Sequence, residues 1–323
     1  MRGGFKLNFR NRLTKILEID LPIIQGGMAW VATGELAAAV SQAGGLGVIG
    51  AGNAPADVIR KEINKVKEKT SKPYAVNIML LSPFVDDIVD LLIEEKVPVV
   101  TTGAGNPGKY IERFKKIGTK VIPVVPSVAL ARRMEKIGAD CLIAEGTEAG
   151  GHIGELTTIS LIPQIVDAVN IPVIAAGGIA DGRGMAAAMA LGAEGVQLGT
   201  RFVCSKECTA HENFKKAIID ARDRDAVVTG RVTGHPVRNL KNDLTREIQK
   251  LERKGASKDE IEELGTGRLR LAVKEGDINQ GSVMAGQIAG LINDIQPVEL
   301  IINNIIEETD GILTDLGGKN NGA

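Results

Sequence analysis

The sequence predicts a parallel (β/α)8 barrel carrying a small inserted subdomain after its eighth strand. Three observations lead there. Eight apolar runs recur through residues 12–204, most of them separated by amphipathic segments of about 10–15 residues, the pattern of repeated βα units. Aromatic residues make up only 3% of the chain while Ala, Val, Ile and Gly abound, a composition suited to buried parallel strands. Gly, Asn, His and Thr cluster after nearly every run. An open doubly wound sheet would gather such residues at one switch point, so the closed barrel is favoured.

The elements follow in order. A short basic lead, Asn8 to Leu17, precedes the first strand, Pro22 to Gln25, which ends in Gly26-Gly27-Met28. An alanine-rich helix, Ala32 to Ala43, is closed by Gly44-Gly45. The second strand, Leu46 to Ile49, runs into Gly50-Ala51-Gly52-Asn53, and the helix from Pro55 to Lys69 has proline in its first turn. Ala75 to Leu80 is the third strand and Pro83 to Glu95 its helix. Val99 to Thr102 is the fourth, ending in Gly103-Ala104-Gly105-Asn106, a copy of the turn after the second; the helix Pro107 to Ile117 follows. Val121 to Val125 is the fifth strand, and Ser127 caps a helix running to Ile137. Cys141 to Ala144, Val173 to Ala176 and Val196 to Leu198 complete the eight, with a helix starting near Thr157-Thr158.

Beyond Arg201 the alternation stops. Residues 205–280 are more charged, with helical runs at Asn242 to Lys254 and Lys258 to Glu263, and form the expected subdomain or lid. Gly281 to Gly290 (GSVMAGQIAG) carries small residues at helical spacing and is expected to dock on the barrel before a last helix, Pro297 to Glu308, so that 281–309 returns to it. Residues 317–323 are expected to be a disordered tail.

The 323 residues are 44% hydrophobic and 24% charged with a net charge of −1, sized for one barrel with an insertion. That balance supplies no basic field for nucleic acid or a membrane surface. The N-terminus lacks an apolar signal core, and no run approaches the ~18–20 apolar residues of a membrane span. A soluble, cytoplasmic protein is expected. Cys141, Cys204 and Cys208 do not make a disulfide framework. Cys204 and Cys208 lack a second Cys or His pair at zinc-site spacing, so no metal site is expected. Neither a G-x-S-x-G elbow nor a P-loop lysine motif occurs.

One stretch concentrates the chemistry: Ala144 to Gly154, AEGTEAGGHIG, at the end of the sixth strand. Glycines let a backbone approach a planar or phosphorylated ligand, and His152 is the residue type best suited to exchange a proton near neutral pH. A tight turn with a surface histidine is the bland alternative. Gly177-Gly178 and Gln197 to Thr200 close the last two strands, where barrels commonly bind phosphate through backbone N–H groups, and Gly182 and Gly184 are candidates for the same cradle. Tight packing alone would also explain these glycines. Asn77, inside the third strand, suits either a heterocyclic ring edge or a structural hydrogen bond, and Glu145 poses the same choice. Trp30 is a rim plug or a cleft wall. His211 and His235 fall in the charged insertion and read as surface or packing histidines.

Gln25 to Trp30 (QGGMAW), Asn77, Gly103 to Pro107, Glu145 to His152, Ala176 to Ile179 and Gln197 to Thr200 together resemble the flavin-dependent nitronate monooxygenase and enoyl-reductase family, from about Arg12 to Gly290. GGMAW, NIMLLSPF, VTTGAGNP and GSVMAGQIAG are most similar to its enoyl-acyl-carrier-protein reductase II branch. Glutamate at position 145, where similar nitronate oxygenases often carry glutamine, favours that branch. The resemblance implies FMN held noncovalently by Met28, Asn77, Glu145, Gly150, Gly178, Gln197, Leu198, Gly199 and Thr200. The phosphate would lie near Gly178, Gly199 and Thr200, and the ring near Met28, Asn77 and His152. It further implies NADH or NADPH as reductant, a trans-2-enoyl thioester on acyl carrier protein as substrate, His152 as proton donor or oxyanion partner, stimulation by a monovalent cation, and a homodimer. Because acyl carrier protein is acidic, the seven basic residues Arg231, Arg238, Lys241, Arg246, Lys250, Arg253 and Lys254, against Asp243, Glu247 and Glu252, form either a steering patch or a solvated face. A nitronate monooxygenase is the alternative activity, and a flavin- or phosphate-binding barrel without turnover the alternative class.

Overall fold

The structure, a computed structural model, describes residues 8–318. Its strands are β1 (Ile23–Gln25), β2 (Gly47–Gly50), β3 (Tyr74–Met79), β4 (Val99–Gly103), β5 (Lys120–Val125), β6 (Leu142–Glu145), β7 (Gly151–His152), β8 (Val173–Ala176), β9 (Gly195–Leu198), β10 (Ala226–Thr229) and β11 (Val237–Leu240). Eight of them pair in parallel in the order β1-β9-β8-β6-β5-β4-β3-β2. Ile24 and Leu46 bridge the two ends of that order, Gln25 N donating to Leu46 O at 3.0 Å and Leu46 N to Ile23 O at 2.9 Å. The ring of eight strands is the expected barrel.

Side chains alternate across each strand, so every second residue enters the lumen. Ile24, Val48, Ala75, Val99, Ile122, Ile143 and Ile174 form one buried cluster there. The N-terminal lead supplies its floor. Asn11 and Thr14 make a reciprocal capping box that starts the helix Arg12–Leu17, and Leu13 and Leu17 join the lumen cluster from below. Fully burying each such aliphatic side chain stabilises the fold by about 1.5–3 kcal/mol, so the lower lumen is packed core. Outward-facing residues such as Val76, Val100 and Val121 meet the surrounding helices, where Ile59, Ile63 and Val66 form the buried stripe of the helix Ala56–Lys69.

After β9 the chain forms the two helices expected near 243–253 and 258–263 and a small sheet that sequence periodicity did not announce. β10 and β11 pair antiparallel, and β11 pairs antiparallel with β7, giving a three-stranded sheet beside the barrel mouth. The helices Asp243–Arg253 and Lys258–Gly265 close over a small core of Leu244, Ile248 and Ile261. Two expectations are corrected. Gly281 to Gly290 is not helical: Met284 bridges Asn239, and a 3-10 turn starts only at Gln287. Its backbone is claimed by tertiary partners, Gly286 N by Thr200 Oγ1 at 2.9 Å and Gln287 N by Glu148 O at 2.9 Å, and its glycines do little to resist. The last helix spans Val298–Gly318, ten residues beyond the expected end; Ile301, Ile302, Ile305 and Thr309 are its buried side, and its Ile305–Thr309 turn packs on Gly182 of the helix Gly182–Ala190. Gly317 and Gly318 therefore end a helix, and the remainder of the expected tail, 319–323, lies outside the described residues.

Candidate active site

One step further along each inward-facing row, toward the strands' carboxyl ends, the chemistry changes from aliphatic to polar. Ile24 is followed on its row by Gly26, Val48 by Gly50, Ala75 by Asn77, Val99 by Thr101 and Ile143 by Glu145. On β9 the outer cluster takes Val196 and Leu198, which turns Gln197 inward. The barrel thus ends in a layer of glycines and hydrogen-bonding side chains.

Asn77 Nδ2 donates to Thr101 Oγ1 at 2.9 Å, which leaves its carbonyl oxygen without a partner among the described residues. One end of Asn77 is thus structural and the other is open. A Cβ on Gly27 would lie 2.3 Å from Asn77 Cβ, so this turn fits against Asn77 only as glycine. Met28 stands beside Gly199, where a Cβ would lie 3.4 Å from Met28 Sδ. The side chains of Gln197 and Glu145 make no hydrogen bond to a described residue, although Gln197 is only 8% exposed. Burial raises the Glu145 pKa to about 7. Near neutrality this carboxyl can therefore either donate or accept.

The Glu145–His152 loop is tied down along its length. Glu148 accepts from Thr158 N at 3.0 and 2.9 Å and from Thr158 Oγ1 at 2.9 Å, which caps the helix Thr158–Val166. Gly150 lies so close to the 281–286 segment that a Cβ would sit 2.6 Å from Ala285 C and 2.7 Å from Gly286 N. Its visible role is this close approach. At the end of the loop, β7 hydrogen-bonds β11, pairing His152 with Val237 and Gly151 with Arg238. His152 is exposed at the mouth, and its pKa is lowered first by partial burial and then by His235, which favours the neutral ring.

Backbone donors converge at the ends of β8 and β9. Gly178, with φ +74°, makes no hydrogen bond with any described residue. Gly199 N and Thr200 N likewise find no acceptor among them. These N–H groups fit a phosphate. Gly182 and Gly184 do not extend that cradle. Asp181 already accepts from Arg183 N and Gly184 N, and Glu308 accepts from Gly182 N at 2.7 Å. Two carboxylates at this helix start would repel a phosphate.

The basic run does not form one patch. Arg238 is 6% exposed and donates Nε and Nη2 to Thr147 O at 3.2 and 2.9 Å. Arg231 pairs with Glu155, Lys241 with Asp225 and Arg246 with Asp243. Among the described residues Lys250, Arg253 and Lys254 have no ion pair either, and they close a helix whose C-terminal dipole favours cations. Trp30, with φ +65°, packs on the core at the rim with the Arg270 guanidinium 5.9 Å from its ring centroid. Cys141 and Cys204 are buried thiols whose pKa burial pushes up to about 12.

The nitronate monooxygenase family model matches residues 10–91 and 83–308. The chain belongs to this family. Among its relatives, a probable nitronate monooxygenase of Staphylococcus saprophyticus is 36% identical over 95% of this chain and 99% of its own length. One from Staphylococcus aureus is 37% identical over 94% and 98%. Solved structures agree on the fold. FabK from Thermotoga maritima is 56% identical, with a TM-score of 0.94 over 96% of this chain and 99% of that one. A nitroalkane oxidase from Streptomyces ansochromogenes is 30% identical, with a TM-score of 0.85 over 95% and 100%. As a member of the nitronate monooxygenase family, the chain is an oxidoreductase.

Thr101 escaped the sequence reading, Glu148 entered it only inside the Glu145–His152 stretch, and Arg238 and His235 entered it only as part of the basic run and as a surface or packing histidine. Thr101 was legible in principle, lying on the strand next to Asn77 two residues before a glycine turn. Arg238 and His235 reach the site only through the β7–β11 pairing, for which the charged 205–280 segment carried no signal.

Proposed function

We propose that this protein reduces the double bond of trans-2-enoyl thioesters carried on acyl carrier protein, using bound FMN and either NADH or NADPH. The observation that carries this reading is the gradient of identity: 56% to FabK, against 30–37% to proteins named for nitronate or nitroalkane oxidation. The donor set suits FMN. Unpaired N–H groups at Gly178, Gly199 and Thr200 match a phosphate, while Asn77, Glu145 and Gln197 offer polar ends to a heterocycle and its ribityl chain. Met28 and Leu198 would line the ring site and Gly150 its edge.

When bound, FMN would supply the two-electron step, taking hydride from the nicotinamide and passing it to the β-carbon of the thioester. The chain's own contribution is placement and charge. His152, favoured in its neutral form, keeps one N–H to donate to the thioester oxygen as enolate-like charge develops there, and a proton drawn from solvent at the mouth completes the reduction at the α-carbon. The 205–280 segment would act as a lid, its β10–β11 hairpin standing beside His152. Acyl carrier protein would meet the three unpaired cations Lys250, Arg253 and Lys254, and the working unit would be a homodimer.

The test is anaerobic mixing of the flavin-loaded protein with NADH or NADPH, followed by crotonyl thioester. Rapid bleaching and reoxidation by the thioester are expected. Bleaching by an alkyl nitronate but by neither nucleotide would replace this reading with nitronate oxidation, the activity named for the staphylococcal relatives.

A further inference from the structure

Two of the chain's three histidines face each other at the barrel mouth. The ladder produces this geometry. His152 on β7 lies opposite Val237 on β11, and residues two apart on a strand share a face, so His235 falls on the face that carries His152. The turn before it is closely defined. Gly230 and Gly234 take φ of +76° and +79°, Thr233 Oγ1 donates to Gly230 O at 2.7 Å, and His235 N donates to Thr233 Oγ1 at 3.1 Å. Ile153 N donates to Pro236 O at 3.1 Å and extends the pairing past both rings. The imidazoles meet edge to face, with centroids 6.5 Å apart and planes at 81°.

An acid–base histidine is usually oriented by a carboxylate or carbonyl on its far nitrogen. His152 has no such partner: its ring makes no hydrogen bond with a described residue. The neighbouring charged groups are committed elsewhere. Glu148 holds Thr158, Arg238 holds Thr147 O across the opposite face of the ladder, Arg231 pairs with Glu155, and Glu145 lies inward at the end of β6. What remains against the His152 ring is His235.

We propose that His235 is the positioning residue for His152: its edge-to-face ring fixes the orientation of the His152 imidazole and disfavours charge on it. His235 acts through His152 and touches no reacting atom. The inference rests on the function proposed above for the meaning of turnover, but its electrostatic half is independent of any substrate.

The test uses the flavin-loaded protein and three variants, His235→Ala, His235→Phe and His211→Gln, the last to assign the imidazole resonances by elimination. His211 caps the helix Glu212–Ile219 away from the pair. In an NMR titration of the resting protein, both His235 variants should raise the pH at which His152 titrates. The value should stay below that of a free imidazole, since burial is the larger cause of its depression. In turnover, His235→Ala should lose about tenfold, less than the ~10²–10⁴-fold expected for a direct acid–base group, and His235→Phe, which restores the ring contact, should recover most of it. An unmoved His152 titration in both variants overturns the proposal, as does equal turnover in the wild type and His235→Ala. If the enoyl thioester proves not to be a substrate, the titration still decides the pairing, and an alkyl nitronate replaces the thioester in the turnover arm.

Discussion

The two halves of the barrel mouth are built differently. Over β2 and β4 the turns are glycine-rich, over β3 the turn is Leu80-Leu81-Ser82-Pro83, and no hydrogen bond among the described residues joins the three to 205–291. Leu81 beyond β3 is 66% exposed. Over β6, β8 and β9 the 281–287 segment and the β10–β11 hairpin close down on the loops, through Gly286 on Thr200, Gln287 on Glu148 and β11 on β7. The covered half also holds the titratable groups, Glu145 and His152, and both have pKa values displaced by burial. Cover and chemistry go together at these two groups because displacing water from a titratable side chain disfavours its charged form. The open half contributes shape: Asn77 seated on Gly27, and turns through which a ligand or chain can pass.

The comparison can be broken most severely at Gly150. Gly150→Ala sets a Cβ against the backbone of Ala285 and Gly286, atoms that cannot swing aside, and should cost about 3 kcal/mol or more. Both flavin occupancy and thermal stability should fall, as read by absorbance and calorimetry; retention of both would show that the cover does not depend on this contact. His152→Ala sharpens the chemical side. It should lower turnover by ~10²–10⁴-fold while flavin stays bound, and unchanged turnover would remove His152 from the reaction.

Glu145→Gln tests the electrostatics of the covered half. A carboxyl whose folded pKa is raised to about 7 contributes stability that is complete below the ordinary carboxylate range and is lost as pH climbs through about 7. The flavin-free wild type should therefore melt lower at pH 8 than at pH 5 by the share of Glu145, and the variant should show a flatter dependence. The smallest effect is expected in the open half. Gly103→Ala meets nothing within 4 Å, and φ there is not positive, so stability should change by less than about 0.5 kcal/mol. Gly50, which opens the identical Gly-Ala-Gly-Asn turn, is its internal control. There a Cβ would lie 2.5 Å from Met28 O, and the same substitution should destabilise the fold measurably.

That pair of turns marks the limit of sequence reading. The first glycines of the identical turns Gly50–Asn53 and Gly103–Asn106 face a backbone wall in one case and open space in the other, and the packing of Gly50 on Met28 makes the difference. The cradle glycines behave likewise. Gly178 and Gly182 look equivalent in sequence, yet Gly178 is free while Gly182 is bonded by Glu308, a residue 126 positions away.

By itself the sequence determined the eight strands, most of the helices between them and the inward row that ends in Asn77, Glu145 and Gln197, because these depend on local periodicity and on which residue types tolerate burial. Only the tertiary structure decided what covers the mouth. The conformation of 281–290, the seating of Gly150 and the meeting of His152 with His235 are set by hydrogen bonds and close approaches between segments far apart in the chain. Long-range contacts of that kind leave no periodic trace along the chain.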